Sequence, residues 1–157
     1  MSATSPLDPQ GCRIVNAERR IAAVINALVP LDSIPQAERA MRKQLGVVVP
    51  TLGVGPAGLS FTLWRPPAEG KFEMAPGMIV AREFKPVGDV VCSGLPAGRA
   101  AYYLLEAPYD TLPAAWQMLF DWCKAGEHEL ANLNWQLYED PGDDTRPPRT
   151  SLYALLA

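Results

Sequence analysis

The sequence predicts an α+β fold: a tandem, pseudo-two-fold β-α-β-β repeat whose antiparallel sheets carry two helices. Two alignments within the chain and its punctuation carry this expectation. Val29-Pro-Leu-Asp-Ser-Ile-Pro-Gln-Ala37 matches Ala107-Pro-Tyr-Asp-Thr-Leu-Pro-Ala-Ala115 at a constant offset of 78, with Pro30/Pro108, Asp32/Asp110, Pro35/Pro113 and Ala37/Ala115 identical. Phe61-Thr-Leu-Trp-Arg-Pro-Pro67 matches Trp135-Gln-Leu-Tyr-Glu-Asp-Pro141 at an offset of 74. Sixteen prolines and twelve glycines cut the remainder into short elements in the same order in both halves.

Taken in order, Met1 to Gln10 has neither a basic nor an apolar region, so it reads as a disordered lead-in and not as a secretory signal. Arg20 to Leu28 is a β-branched and aliphatic run, hence a strand. A helix follows. Asp32 and Ser33 offer capping oxygens, Ser33 with Gln36 fits a capping box, and Pro35 falls in the first turn, where its missing N–H costs nothing. Ile34, Ala37, Met41 and Leu45 form its apolar stripe, opposed by Arg39, Arg42 and Lys43 as a solvated face. Gly53-Val-Gly55-Pro-Ala-Gly58 mimics a phosphate-binding fingerprint, yet it has no βαβ context and Pro56 removes a donor, so it reads as a loop. Strands over Leu59 to Arg65 and Phe72 to Arg82 flank a turn at Pro66 to Gly70. Lys85 to Gly98 joins the halves, with a short extra strand over Asp89 to Ser93.

The second half repeats the pattern. Arg99 to Glu106 is a strand, and Asp110, Thr111 and Pro113 open a helix with a wider stripe of Leu112, Ala115, Trp116, Leu119, Phe120 and Cys123. His128 follows in a solvated turn. Strands over Asn134 to Glu139 and Arg149 to Leu155 flank a turn at Asp140 to Asp144. One copy alone would leave a hydrophobic sheet face uncovered, so residues 1–157 read as a single domain, with repeats over about 20–82 and 99–156.

Composition narrows the function. The 157 residues are 48% hydrophobic and 20% charged, enough for a core without disulfides or a structural metal. A net charge of −3 argues against nucleic acid or an anionic membrane surface as a direct partner. The longest apolar run, Ile21 to Val29, is interrupted by Asn26, so no membrane span is expected. Cys12, Cys92 and Cys123 form no CxxC and read as small buried hydrophobes in a reducing cytoplasm. A single histidine leaves a histidine-based zinc site or a Ser-His-Asp triad without support, and no motif calls for a cofactor or metal.

The blocks Pro96-Ala-Gly-Arg-Ala-Ala101, Ala107 to Trp116, Trp135 to Pro141 and Arg149-Thr-Ser-Leu-Tyr153 resemble the GyrI-like small-molecule-binding family, which includes the effector-binding domains of AraC-type and MerR-type regulators. The resemblance spans about Gly11 to Leu156. It implies a tandem repeat with a ligand cleft between the halves, lined by aromatics and often carrying a carboxylate on the last strand that faces cationic drugs. Where relatives often read Arg-Thr-Glu-Leu, this chain reads Arg149-Thr150-Ser151-Leu152, so the expected acid is absent and neutral ligands are expected.

Nine of the 13 aromatic residues lie in the second half, and a stacking site for a small planar molecule explains that asymmetry. Trp64, Tyr103, Trp116, Tyr138, Ser151 and Tyr153 are the candidate ligand contacts. Strand alternation puts Ser151 with Tyr153, and sends the adjacent Tyr102 and Tyr103 to opposite faces. Phe120, Trp122 and Trp135 read as core. The reading is a binding protein, stand-alone, that senses or sequesters a small hydrophobic or aromatic molecule. One alternative, implied by the resemblance, is a hydrolase of strained or electrophilic toxins. Glu106 would be its acid or base, with Glu73 as a substitute and Glu139 set aside as a solvated turn residue. Another is a protein-interaction role, with DNA gyrase or a regulator as partner.

Overall fold

The computed structural model describes residues 7–157. Its elements are β1 (Arg13–Ala17), β2 (Arg20–Val24), β3 (Ala27–Pro30), α1 (Ile34–Val48), β4 (Ser60–Trp64), β5 (Lys71–Ile79), β6 (Val91–Leu95), β7 (Gly98–Glu106), α2 (Leu112–Ala125), β8 (Leu130–Asp140) and β9 (Arg149–Leu156). The two helices begin 78 positions apart, as the repeat requires. The fold is α+β, and β2–β5, β2–β6, β3–β5, β4–β5, β7–β9 and β8–β9 are antiparallel pairs.

The chain divides into two compact units. The first, Ala17–Ala97, orders its strands β4-β5-β2-β6 and hangs β3 on β5 as well. The second joins the described part of Met1–Asn16 to Gly98–Ala157 and orders its strands β1-β7-β9-β8. Each unit's set of strands thus takes its end strand from the segment that precedes the other repeat: β6 completes the first and β1 the second. The extra strand expected at 89–93 is β6, displaced to Val91–Leu95. Strand β1 was not expected. Of the lead-in expected over 1–10, residues 1–6 lie outside the described residues, while Pro9–Gly11 form a 3-10 turn in which the Asp8 carboxylate accepts from the Gln10 N–H at 2.9 Å.

The single strand expected over Arg20 to Leu28 is two strands. Both run along β5, which pairs its first half with β3 and its last residues with β2. Between them stands Pro76 of β5, which has no N–H for the ladder, and the chain breaks at Ile25 and Asn26. One bond survives there, the Ile25 N–H to the Pro76 carbonyl at 3.1 Å.

The helices pack as their stripes dictate. Met41 and Leu45 of α1 are buried with Ile25, Val49, Met74 and Val90, and Ile34 and Ala37 pack against the same cluster. Ala115, Trp116, Leu119 and Cys123 are the buried residues of α2. The expected side-chain caps are not made. A 3-10 turn precedes each helix, so Ser33 and Thr111 already have turn-like backbone angles, and their hydroxyls donate instead to Asp32 and Asp110. At the far end of α2, Glu127 takes φ 58°, and the His128 N–H returns to the Cys123 carbonyl at 2.8 Å, a Schellman-type closure. His128 is not solvated as expected: its half-buried ring stacks on Trp122 at 5.3 Å.

The basic face expected for α1 also needs correction at Arg42. Its guanidinium crosses onto the sheet, donating to the Gly77 carbonyl at 3.0 Å, the Phe61 carbonyl at 2.9 Å and Thr62 Oγ1 at 3.0 Å. Glu38, one turn earlier, accepts from it at 2.7 Å. The long aliphatic stem lets the charge reach backbone acceptors past the apolar stripe, which helical spacing alone does not reveal.

Candidate ligand-binding face

The sheet of the second unit has two faces of different chemistry. Alternation along β7, β9 and β8 places Tyr103, Leu105, Thr150, Leu152, Ala154, Asn134, Gln136 and Tyr138 on the face that α2 covers. Tyr102, Leu104, Ser151, Tyr153, Trp135, Leu137 and Glu139 take the opposite face.

Cross-strand register assembles this second face. Tyr102 of β7 and Trp135 of β8 both stand directly opposite Tyr153 of β9, and Leu104 and Leu137 both stand opposite Ser151. The Trp135 and Tyr153 rings stack at 5.1 Å with their planes only 8° apart, and Tyr102 tilts against Tyr153 at 5.0 Å. The Arg13 guanidinium of β1 lies over the Tyr102 ring, 5.1 Å from its centre. Trp135 and Ser151 are buried; Tyr102, Tyr153 and Glu139 keep part of their surface.

Polar groups line one side of these rings. Ser151 Oγ donates to Glu139 Oε1 at 3.1 Å and lies 3.1 Å from the Tyr102 hydroxyl. A carboxylate thus stands at Ser151 after all, supplied by the neighbouring strand. Strand β8 continues to Asp140, with a register shift between Tyr138 and Asp140, so Glu139 is a residue of the sheet and not the solvated turn residue expected from the sequence.

The face that α2 covers is a supporting network. Trp116 Nε1 donates to Gln136 Oε1 at 2.8 Å, and Gln136 Nε2 donates to the Tyr138 hydroxyl at 3.0 Å. Trp116 also stacks on Phe120 at 5.5 Å, and Tyr138 meets Tyr109 edge-on at 6.0 Å. The Tyr109 phenol is held above its ordinary pKa, first by burial and then by Tyr138 and Asp140. The Tyr103 hydroxyl accepts from the Asp8 N–H at 3.2 Å, and its ring lies against Gly11. Asp140 has a lowered pKa because the Gly142 N–H and Arg146 hydrogen-bond its charged form.

The structure therefore brings Ser151 and Tyr153 together, and joins Trp116 to Tyr138 on the opposite face with Tyr103. Trp64 belongs to the first unit, where it tilts against Phe72 at 5.8 Å and packs on the α1 core. Glu106 is exposed at the end of β7 opposite Arg149, and the exposed Glu73 faces Arg65 at 3.5 Å. Trp135 and Arg13 were not among the candidate contacts, and Tyr102 and Glu139 were weighed but not chosen. Alternation from Trp135 through Leu137 is the signal that reaches Glu139. Among the described residues no three His, Cys, Asp or Glu side chains are grouped to hold a metal ion.

The first unit repeats the framework without this chemistry. Register equates Gly77 with Tyr153, Ala75 with Ser151, Val24 with Tyr102 and Phe61 with Trp135. The stacked Tyr102, Tyr153 and Trp135 have no aromatic counterpart at three of these four positions in the first unit, where only Phe61 is aromatic.

No protein-family model and no curated protein matches the sequence. Solved structures do. The chain is similar to the C-terminal domain of EcmrR, with a TM-score of 0.77 at 19% identity over 93% of this chain and 96% of that one. SAV2435 bound to tetraphenylphosphonium matches with a TM-score of 0.68 at 12% identity, covering 93% of each chain. A hydrolase from Listeria innocua matches with a TM-score of 0.61 at 6% identity, over 93% of this chain and 91% of that one. The fold is that of the GyrI-like effector-binding domains.

Proposed function

We propose that the protein binds a small aromatic organic molecule on the Tyr102–Tyr153–Trp135 face, and that it acts by sensing or sequestering that molecule. One observation supports this above the others: three aromatic rings pack in cross-strand register, two of them stacked and two of them partly exposed, beside a carboxylate and two hydroxyls. Flat apolar walls with a few converging polar groups are how proteins hold small planar ligands. The solved structure of SAV2435 with tetraphenylphosphonium, a compound of aromatic rings, supports the same reading by likeness of fold. Tyr153 is a contact residue in this reading, with Tyr102 and Glu139 added, while the buried Trp135 and Ser151 back them. Tyr103, Trp116 and Tyr138 act from beneath, fixing the strands that carry the contacts. A hydrolytic reading gains nothing from Glu106 or Glu73, since neither joins the aromatic cluster.

Quenching of tryptophan fluorescence by a panel of neutral and cationic aromatic dyes tests the proposal, because Trp135 sits within the cluster. Tyr153→Ala is expected to weaken binding about tenfold, the loss of one good stacking contact, whereas Trp64→Ala leaves the affinity within a factor of two. Dyes that fail to bind, or that lose affinity only with Trp64→Ala, overturn it.

A further inference from the structure

Resting on that reading, we infer that the face selects aromatic ligands by a hydrogen-bond donor they carry, an O–H or N–H, and not by positive charge. The direction of one chain of hydrogen bonds is the basis. Serine has a single proton, and Ser151 gives it to the Glu139 carboxylate, which can only accept when ionised. The 3.1 Å contact between Ser151 and Tyr102 must then be donated by the phenol. All protons in the chain point toward Glu139. The Tyr102 oxygen, having committed its proton, and the carboxylate oxygens of Glu139 turn only lone pairs outward, so the polar margin of the aromatic face offers acceptors.

A cation already occupies this face: the Arg13 guanidinium covers the Tyr102 ring. A quaternary cation approaching the rings meets a guanidinium already seated on one of them, and it has no proton to give the acceptors. A neutral phenol, amine or amide on an aromatic ring has one. A ligand oxygen without a proton would face lone pairs alone.

Isothermal titration with a matched pair, 2-naphthol and 2-methoxynaphthalene, together with tetraphenylphosphonium, reads this directly. 2-Naphthol is expected to bind about tenfold or more tightly than its methyl ether, the ordinary value of a hydrogen bond to a charged acceptor. Glu139→Gln, which removes the charged acceptor, should reduce that ratio toward one. Equal binding of the two naphthalenes by the unmodified protein overturns the inference and leaves the aromatic site standing. Tetraphenylphosphonium binding more tightly than 2-naphthol, with that advantage lost in Glu139→Gln, shows selection by charge and also overturns it. Failure of all three compounds to bind removes the aromatic site itself.

Discussion

At the scale of single residues, two buried polar groups stand out because they lack the partners that burial demands. The Thr150 hydroxyl and both amide atoms of Asn134 find no hydrogen-bond partner among the described residues, although both residues are shielded from solvent. An unsatisfied buried hydroxyl costs more than the hydrogen bond it would otherwise make. Thr150→Val, which keeps the shape and removes the hydroxyl, is therefore expected to stabilise the fold by about 1 kcal/mol, read as a higher urea midpoint at unchanged slope. A lowered midpoint would mean that the hydroxyl is satisfied. The same scale shows what the sequence could and could not say about the site. Ser151 with Tyr153, and Tyr102 opposed to Tyr103, follow from strand alternation. Which of the two tyrosines joins Tyr153 depends on the face that α2 covers, and that is a matter of packing. Trp116 shows the limit from the other side: a residue on the apolar stripe of a helix is drawn to the covered face whatever its aromatic character suggests. Arg42 was unreadable for a related reason, since its acceptors are backbone carbonyls of Phe61 and Gly77 on other strands.

At the scale of elements, the repeat was legible because it is local. Turn residues, proline at the first helical turn and the apolar stripes lie within a few positions of one another, and both helices stand where these features put them. Strands β1 and β3 were not, because their existence depends on distant partners. Arg13-Ile-Val-Asn-Ala17 is a short mixed segment that becomes a strand by pairing with β7, and the break before β3 reflects Pro76 on the strand alongside. Gly77 on that same strand marks how closely the first unit packs where the second carries Tyr153. A Cβ there would lie 2.6 Å from Phe61 Cζ and 2.7 Å from the Ala23 carbonyl oxygen, and the second of these is backbone that cannot swing away. Gly77→Ala is expected to destabilise the protein by about 2 kcal/mol or more, measurable as a fall in urea midpoint. A change within about 0.5 kcal/mol would show that β2 and β5 can part without cost.

At the scale of the whole molecule, the groups with displaced protonation in the second unit set how the fold responds to base. Burial pushes the Cys12 thiol from an ordinary 9.0 up to about 11, with Cys123 and Asp8 adding to the effect, and burial raises Cys123 as well. A thiol that keeps its proton longer when folded contributes its full stability below its unfolded pKa. That contribution disappears as pH rises through the folded value. Stability is thus expected to decline between about pH 9 and about pH 11, and Cys12→Ala should flatten that decline in urea titrations taken across the range. An identical slope in the variant would assign the alkaline loss elsewhere. The strand exchange between repeats bears on how the chain reaches this state at all. The second unit is assembled from two segments, so β1 can meet β7 only after about eighty intervening residues have been looped out. Those residues are the first unit, and its own pairing of Arg20 with Leu95 brings the two ends of the insertion side by side. Once it has folded, the loop to be closed shrinks to a handful of residues, which lowers the entropic barrier by roughly 2 kcal/mol. The contiguous unit is therefore the kinetic template: its closure hands the two halves of the aromatic unit to each other, and a lesion that slows the first unit is expected to delay the appearance of an aromatic face it does not contain.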